Sequence, residues 1–104
     1  MNNTKWREIF QAFYEIECTS SILIPWMTKD TESGYVYGWD STWTHFGADP
    51  EDYERIDWLK IKLSEDNRDI VLSALAKIHV PGEVFEEEVI VYGYRTNVDY
   101  ISSK

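Results

Sequence analysis

Cysteine, histidine and basic residues are scarce in this chain, and each shortage closes off a class of function. Cys18 is the single cysteine, so no intrachain disulfide can form, and the stapled scaffold of small secreted domains is excluded. It follows Glu-Ile-Glu and precedes Thr-Ser-Ser. With no basic neighbour to favour a thiolate, a buried structural thiol is expected there rather than a nucleophile.

His45 and His79 are the two histidines, and no H-x-x-x-H or C-x-x-C pair occurs. A metal centre needs three or four ligands at workable spacing, so none is expected. Asp30-Thr-Glu-Ser-Gly loosely resembles the start of a calcium loop but lacks its central glycine and closing glutamate. The glycines are dispersed, which removes phosphate-cradling loops, and no G-x-S-x-G elbow is present. Asp40 and His45 could form a base and its orienting carboxylate, but no nucleophile accompanies them. No catalytic set and no cofactor are therefore expected.

No apolar run approaches the roughly 18–20 residues of a membrane span. The N-terminal Met-Asn-Asn-Thr-Lys-Trp lacks the basic-then-apolar layout of a signal peptide, so a cytoplasmic protein is expected. Ten Lys and Arg stand against nineteen Asp and Glu, for a net charge of −9 and a pI near 4.5. Phosphate affinity rests on clustered cations, so direct nucleic-acid binding is not expected. Stacking of RNA on a sheet would need aromatics interleaved with basic residues, and here the neighbours of Tyr35, Tyr37, Trp39 and Trp43 are acidic. An acidic domain instead attracts basic partners.

What the chain does have is an ample apolar fraction, 43% of 104 residues, enough for one domain spanning 1–104. Thr4 to Glu17 reads as an amphipathic helix with Trp6, Ile9, Phe10, Phe13 and Tyr14 on one face, capped by Asn3 or Thr4. Ser21 to Thr28 reads as a strand, pushed to an edge or bulge by Pro25. Asp30 to Gly34 is a turn, and Tyr35 to Trp39 returns as its hairpin partner. After a kink at Asp40-Ser41, Thr42 to Phe46 continues as a further short strand, and Asp49-Pro50 opens a helical turn.

Asp57 to Leu63 alternates cleanly, with Leu59, Ile61 and Leu63 inward and Lys60 and Lys62 outward. Ser64 caps a second helix to about Ile78, buried through Ile70, Val71, Ala74, Leu75 and Ile78 and stopped by Val80-Pro81-Gly82. Val84 to Arg95 is strand-forming, and Val98 to Ile101 adds a last short strand. The order predicts an α+β fold, a mostly antiparallel sheet of four to five strands with two main helices on one face.

Two features point to recognition. The stretch Gly34 to Phe46 packs Tyr35, Tyr37, Trp39, Trp43, His45 and Phe46 into thirteen positions, a density of amphipathic rings that suits binding surfaces. Alternation divides it, sending Tyr35, Tyr37 and Trp39 to one strand face with some of these rings in the core, and concentrating recognition on Trp43, His45 and the acidic turn beyond. Two acidic stretches, Asp49 to Glu54 and Glu86-Glu87-Glu88, would steer a cationic partner. The candidate partner-binding set is Tyr37, Asp40, Trp43, His45, Asp49, Glu51, Asp52, Glu86, Glu87, Glu88 and Tyr92.

Three strings, Asn-Asn-Thr-Lys-Trp, Gly-Tyr-Val-Tyr-Gly-Trp-Asp-Ser-Thr-Trp and Ile-Asp-Trp-Leu-Lys-Ile, together resemble a small bacterial family of unknown function. Its Trp-Asp-x-x-Trp core is matched by Trp39, Asp40 and Trp43. In size, acidity and lack of a catalytic set the chain is also similar in type to immunity proteins of contact-dependent growth inhibition systems. That likeness implies a partner, a basic toxin domain and most naturally a nuclease, that the protein occludes. The alternative expectation is a small-molecule sensor or regulatory domain with the rings lining a pocket.

Overall fold

Helix α1, Asn3–Thr19, opens the chain because Trp6, Ile9 and Phe13 recur at the three-to-four spacing of one helical face, and all three are buried. Asn2, just ahead of the expected caps Asn3 and Thr4, accepts from the Lys5 N–H at 2.9 Å. Cys18 is exposed rather than buried, since its position falls off the stripe set by Trp6, Ile9 and Phe13. The computed structural model describes residues 1–46, 50–95 and 97–101.

Among the described residues, four antiparallel strands form the sheet: β1 (Trp26–Asp30), β2 (Ile56–Lys62), β3 (Gly82–Val84) and β4 (Glu88–Tyr92), in the order β1-β2-β4-β3. On β2 the expected alternation holds. Leu59 and Ile61 are buried beside Val89 and Val91 of β4, beneath α1 and helix α3 (Arg68–Ile78). Each large apolar side chain buried in this layer is worth about 1.5–3 kcal/mol against exposure. Lys60 and Lys62 turn to the uncovered face, where Lys60 Nζ lies 5.0 Å from the Trp58 ring and 3.3 Å from Glu88. The result is an α+β fold with its helices on one face of an antiparallel sheet.

Several element boundaries depart from the sequence pattern, each for a local reason. The first strand begins at Trp26, after Pro25, whose carbonyl still accepts from Lys62 N–H at 2.9 Å. Tyr35 to Trp39 forms no regular strand; it touches β1 through two isolated bridges, Lys29 with Val36 and Trp26 with Asp40. Between those bridges the returning chain holds one residue more than β1, and such an insertion bulges the ladder and interrupts the two-residue alternation. Thr42 to Phe46 is not a strand either. Trp43–Phe46 is a helical turn, α2, that drops Trp43 and Phe46 together into the core.

The second main helix starts at Arg68 because Ser64 to Asn67 closes a separate turn. Asn67 Oδ1 accepts from Ser64 N–H at 2.8 Å, and Ser64 Oγ accepts from Asn67 N–H at 3.2 Å. The buried Asn67 amide also donates to the carbonyls of Leu23 and Lys62, fastening that turn to the sheet. The helix ends at His79 in the left-handed conformation, with φ 70°. The expected Val84 to Arg95 strand is broken by a turn at Phe85 to Glu87, closed by Phe85 N–H donating to Glu88 O at 2.7 Å. The turn lets exposed Glu86 and Glu87 keep their water. Near the C-terminus, the expected strand Val98 to Ile101 is reduced to a single bridge between Pro81 and Tyr100.

Candidate functional site

A concave site opens along β1. Its floor is the inward face of β1, Trp26, Thr28 and Asp30. One wall is the bridged segment through Tyr37, Gly38 and Asp40, and the other is built by His45 and Phe46 of α2 with Tyr53 and Arg55. The last two come from a 3-10 helix at Pro50–Arg55. The cavity holds about 330 Å³, within the range of small-ligand pockets.

Local sequence explains the placement of each wall. Asp40 Oδ1 accepts from Thr42 N–H at 2.7 Å, an Asx turn that redirects the chain from the sheet edge into α2. Glu17 of α1 accepts from the Trp43 N–H at 2.9 Å, so a carboxylate satisfies the first free donor of that turn. Trp43 Nε1 donates to Ile24 O at 3.0 Å, and its ring lies among Phe13, Trp26 and Phe46 at centroid distances of 4.8–5.5 Å. These contacts fix α2 and with it His45.

Two carboxylates in the site are committed to different bases. Asp40 Oδ2 lies 2.7 Å from His45 Nδ1. An ionised carboxylate only accepts, so Nδ1 carries a proton, and in the neutral form of the ring Nε2 is an acceptor. Burial pulls the Asp40 carboxyl up, but its hydrogen bonds from His45 and the Thr42 N–H outweigh burial and hold it below the usual value. Asp30, with 5% of its side chain exposed, lies 2.7 Å from Arg55. The N–H groups of Glu32 and Ser33, with the Arg55 guanidinium, hold its carboxyl low against the opposing effect of burial. Arg55 is shared with Glu32 at 3.8 Å. Burial pushes the Tyr53 phenol up. The indole N–H of Trp26 is buried with no hydrogen-bond acceptor among the described residues.

The candidate partner-binding residues divide. Tyr37, Asp40 and His45 converge on this cavity. Trp43, 1% exposed, and Tyr92, 7% exposed, are buried and offer no anchor to a partner. The Tyr92 hydroxyl is engaged internally, donating to Glu83 at 2.9 Å, and Arg95 covers its ring at 4.3 Å. The two acidic stretches do not meet. Glu51 and Asp52 fall on the Pro50–Arg55 helix leading into β2, whereas Glu86 to Glu88 lie beyond its far end, opposite Lys62 and Leu63. Seven strand residues at about 3.3 Å each place them roughly 20 Å apart. Glu88 is already paired with Lys60, and Asp49 lies outside the described residues.

Sequence reasoning missed Asp30, Arg55 and Tyr53 as site residues. Arg55 carried a usable signal, being the one Lys or Arg between Lys29 and Lys60, so an internal carboxylate partner was to be expected. Among the described residues, no group of three or more His, Cys, Asp or Glu is placed to hold a metal ion. The Asp40–His45 geometry is that of a base with its orienter, yet His45 makes no hydrogen bond to a hydroxyl or thiol among the described residues. No helix of the described residues is long and apolar enough to cross a membrane.

The family model described as a family of unknown function, DUF6678, matches residues 1–98. Neither the curated proteins nor the solved structures gave a match. The chain belongs to the DUF6678 family.

Proposed function

We propose that this chain is a binding protein for a basic protein partner, acting as a bacterial immunity protein that occludes a cationic toxin domain, a nuclease being the natural fit. The observation that carries the reading is the convergence of Tyr37, Asp40 and His45 at one concave site. Flanking Tyr37 in the chain, Tyr35 and Trp39 have exposed rings. Exposed amphipathic rings around a pocket are the usual anchors of a protein interface, and a net charge of −9 steers cationic partners toward it. The site, rather than the two separated acidic stretches, is the proposed centre of contact.

Co-expression with the product of the adjacent gene tests the reading. A co-purifying complex and protection from toxicity are expected, with association slowing sharply as salt rises. No complex and no protection overturn it. A sensor or regulatory role is the second reading, favoured by the cavity of about 330 Å³ with its aromatic lining. A metabolite that raises the melting temperature by mass action would support that role.

A further inference from the structure

Resting on the partner reading above, we propose that the cavity receives one cationic side chain of the partner, an arginine or lysine, held between aromatic faces and the Asp40–His45 pair. Charge leads to this occupant. Around the cavity, Asp30 and Glu32 share the single guanidinium of Arg55, and Lys29 is offset by Asp57 at 3.9 Å. Among the described residues, the one basic side chain beside Asp40 is the imidazole of His45. Two carboxylates, Asp30 and Asp40, and two fixed cations, Lys29 and Arg55, line the cavity, and because both cations are already paired, Asp40 is the carboxylate left without a fixed cation among the described residues.

The hydrogen-bonding pattern fits the same guest. With its Nδ1–H directed to Asp40, the His45 ring in its neutral form presents Nε2 as an acceptor, next to a carboxylate that is itself acceptor-only. A guanidinium or ammonium is a pure donor and satisfies both. Tyr37, Phe46 and Tyr53 are the lining's other aromatic residues beside Trp26, and a cation against a ring face gains about 0.5–2 kcal/mol depending on desolvation. An anion would meet the Asp40 carboxylate, and a neutral apolar guest would leave that carboxylate unmatched. The orphan N–H of Trp26 is buried in the floor, so it takes no part at the mouth.

The probe is capped arginine, N-acetyl-arginine methylamide, titrated into the 15N-labelled protein, with capped citrulline as the neutral isostere and agmatine as a free amine. Capped arginine is expected to shift the amides of Tyr37, Asp40 and Phe46 and to bind about tenfold more tightly than capped citrulline. Asp40→Asn, which keeps an acceptor for Thr42 N–H, and His45→Lys, at an exposed position, should each reduce binding about tenfold or more with the melting transition retained. Glu86→Gln at the far end of β2 should leave it unchanged. Equal binding of arginine and citrulline, shifts confined to other surfaces, or no shifts at millimolar probe would overturn the inference. Agmatine binding more than about tenfold above capped arginine would assign the pocket to a free amine and overturn the partner's side chain as its guest. A toxin domain that binds wild type, Asp40→Asn and His45→Lys equally would sink this inference and leave the partner reading standing. A domain that binds no form of the protein would sink the partner reading itself.

Discussion

Tyr35 to Trp39 and Trp43 to Phe46 are neighbouring stretches of similar aromatic content with opposite fates. In the first, Tyr35, Val36, Tyr37 and Trp39 are all exposed, Trp39 at 45% and Tyr37 at 51%. In the second, Trp43 and Phe46 are buried and join Trp6, Phe13, Trp26 and Tyr53 in one cluster. Composition does not separate them; local geometry does. Residues three apart on a helical turn share a face, so α2 delivers both rings to the core. The bridged segment runs along the edge of β1 with an inserted residue, and no layer covers it. Asp40 is the switch between the two regimes, because its Asx turn ends the extended path and starts the helical one.

The sharpest way to break the comparison is to truncate one ring on each side. Trp43→Ala removes a fully buried indole and its hydrogen bond to Ile24 O. A loss of about 3–5 kcal/mol is expected, read as a large drop in the denaturant midpoint. Next comes the link that holds α2 in place. Glu17→Ala strips the Trp43 N–H of its carboxylate acceptor and should cost about 1–2 kcal/mol, while Glu15→Ala, exposed on the same helix, should stay within about 0.5 kcal/mol.

Much of the fold was legible because its signals are periodic. The apolar stripe of α1 and the alternation of Leu59, Ile61 and Leu63 carry their own evidence. What was not legible depended on contacts distant in sequence. A helical turn at Trp43 requires a carboxylate from Glu17, 26 positions away, and no local pattern announces it. The break after Val84 reflects the cost of burying consecutive glutamates in a ladder, which strand propensity does not weigh. At the cavity, Tyr37, Asp40 and His45 carry polar groups within an aromatic run, which the sequence displays directly. Trp43 is buried where recognition was expected, because an indole reads the same way in sequence whether it anchors a partner or a core. Asp30 and Arg55 were overlooked since their pairing spans a loop and two elements.

Asp40→Asn probes the switch through pH. Hydrogen bonds hold the Asp40 carboxyl below its usual value in the folded protein. A lowered folded pKa contributes stability that is present above the unfolded value, about 3.9 for an aspartate, and is lost as pH falls through the folded one. Wild type should therefore melt higher than Asp40→Asn at pH 6, by an amount equivalent to about 1 kcal/mol or less given partial exposure. The gap should close below about pH 4. A gap that persists unchanged at pH 3 would show that the carboxylate's charge contributes nothing there.

The smallest stability effect is expected at Trp39, and that smallness is what makes it informative. Its ring is exposed, and its one described contact is the ammonium of Lys62, 6.0 Å from the ring centroid. An exposed cation–π pair contributes about 0.5 kcal/mol, so Trp39→Ala should leave the denaturant midpoint nearly unchanged. Exposed rings that the fold does not use are available to a partner. Truncating Trp39 or Tyr37 should therefore weaken capture of the basic partner by about 2 kcal/mol or more if either is an interface anchor. A ring that costs nothing in folding and nothing in binding would have no place in the proposed interface. The contrast between the two aromatic stretches would then reduce to a core turn beside an idle edge.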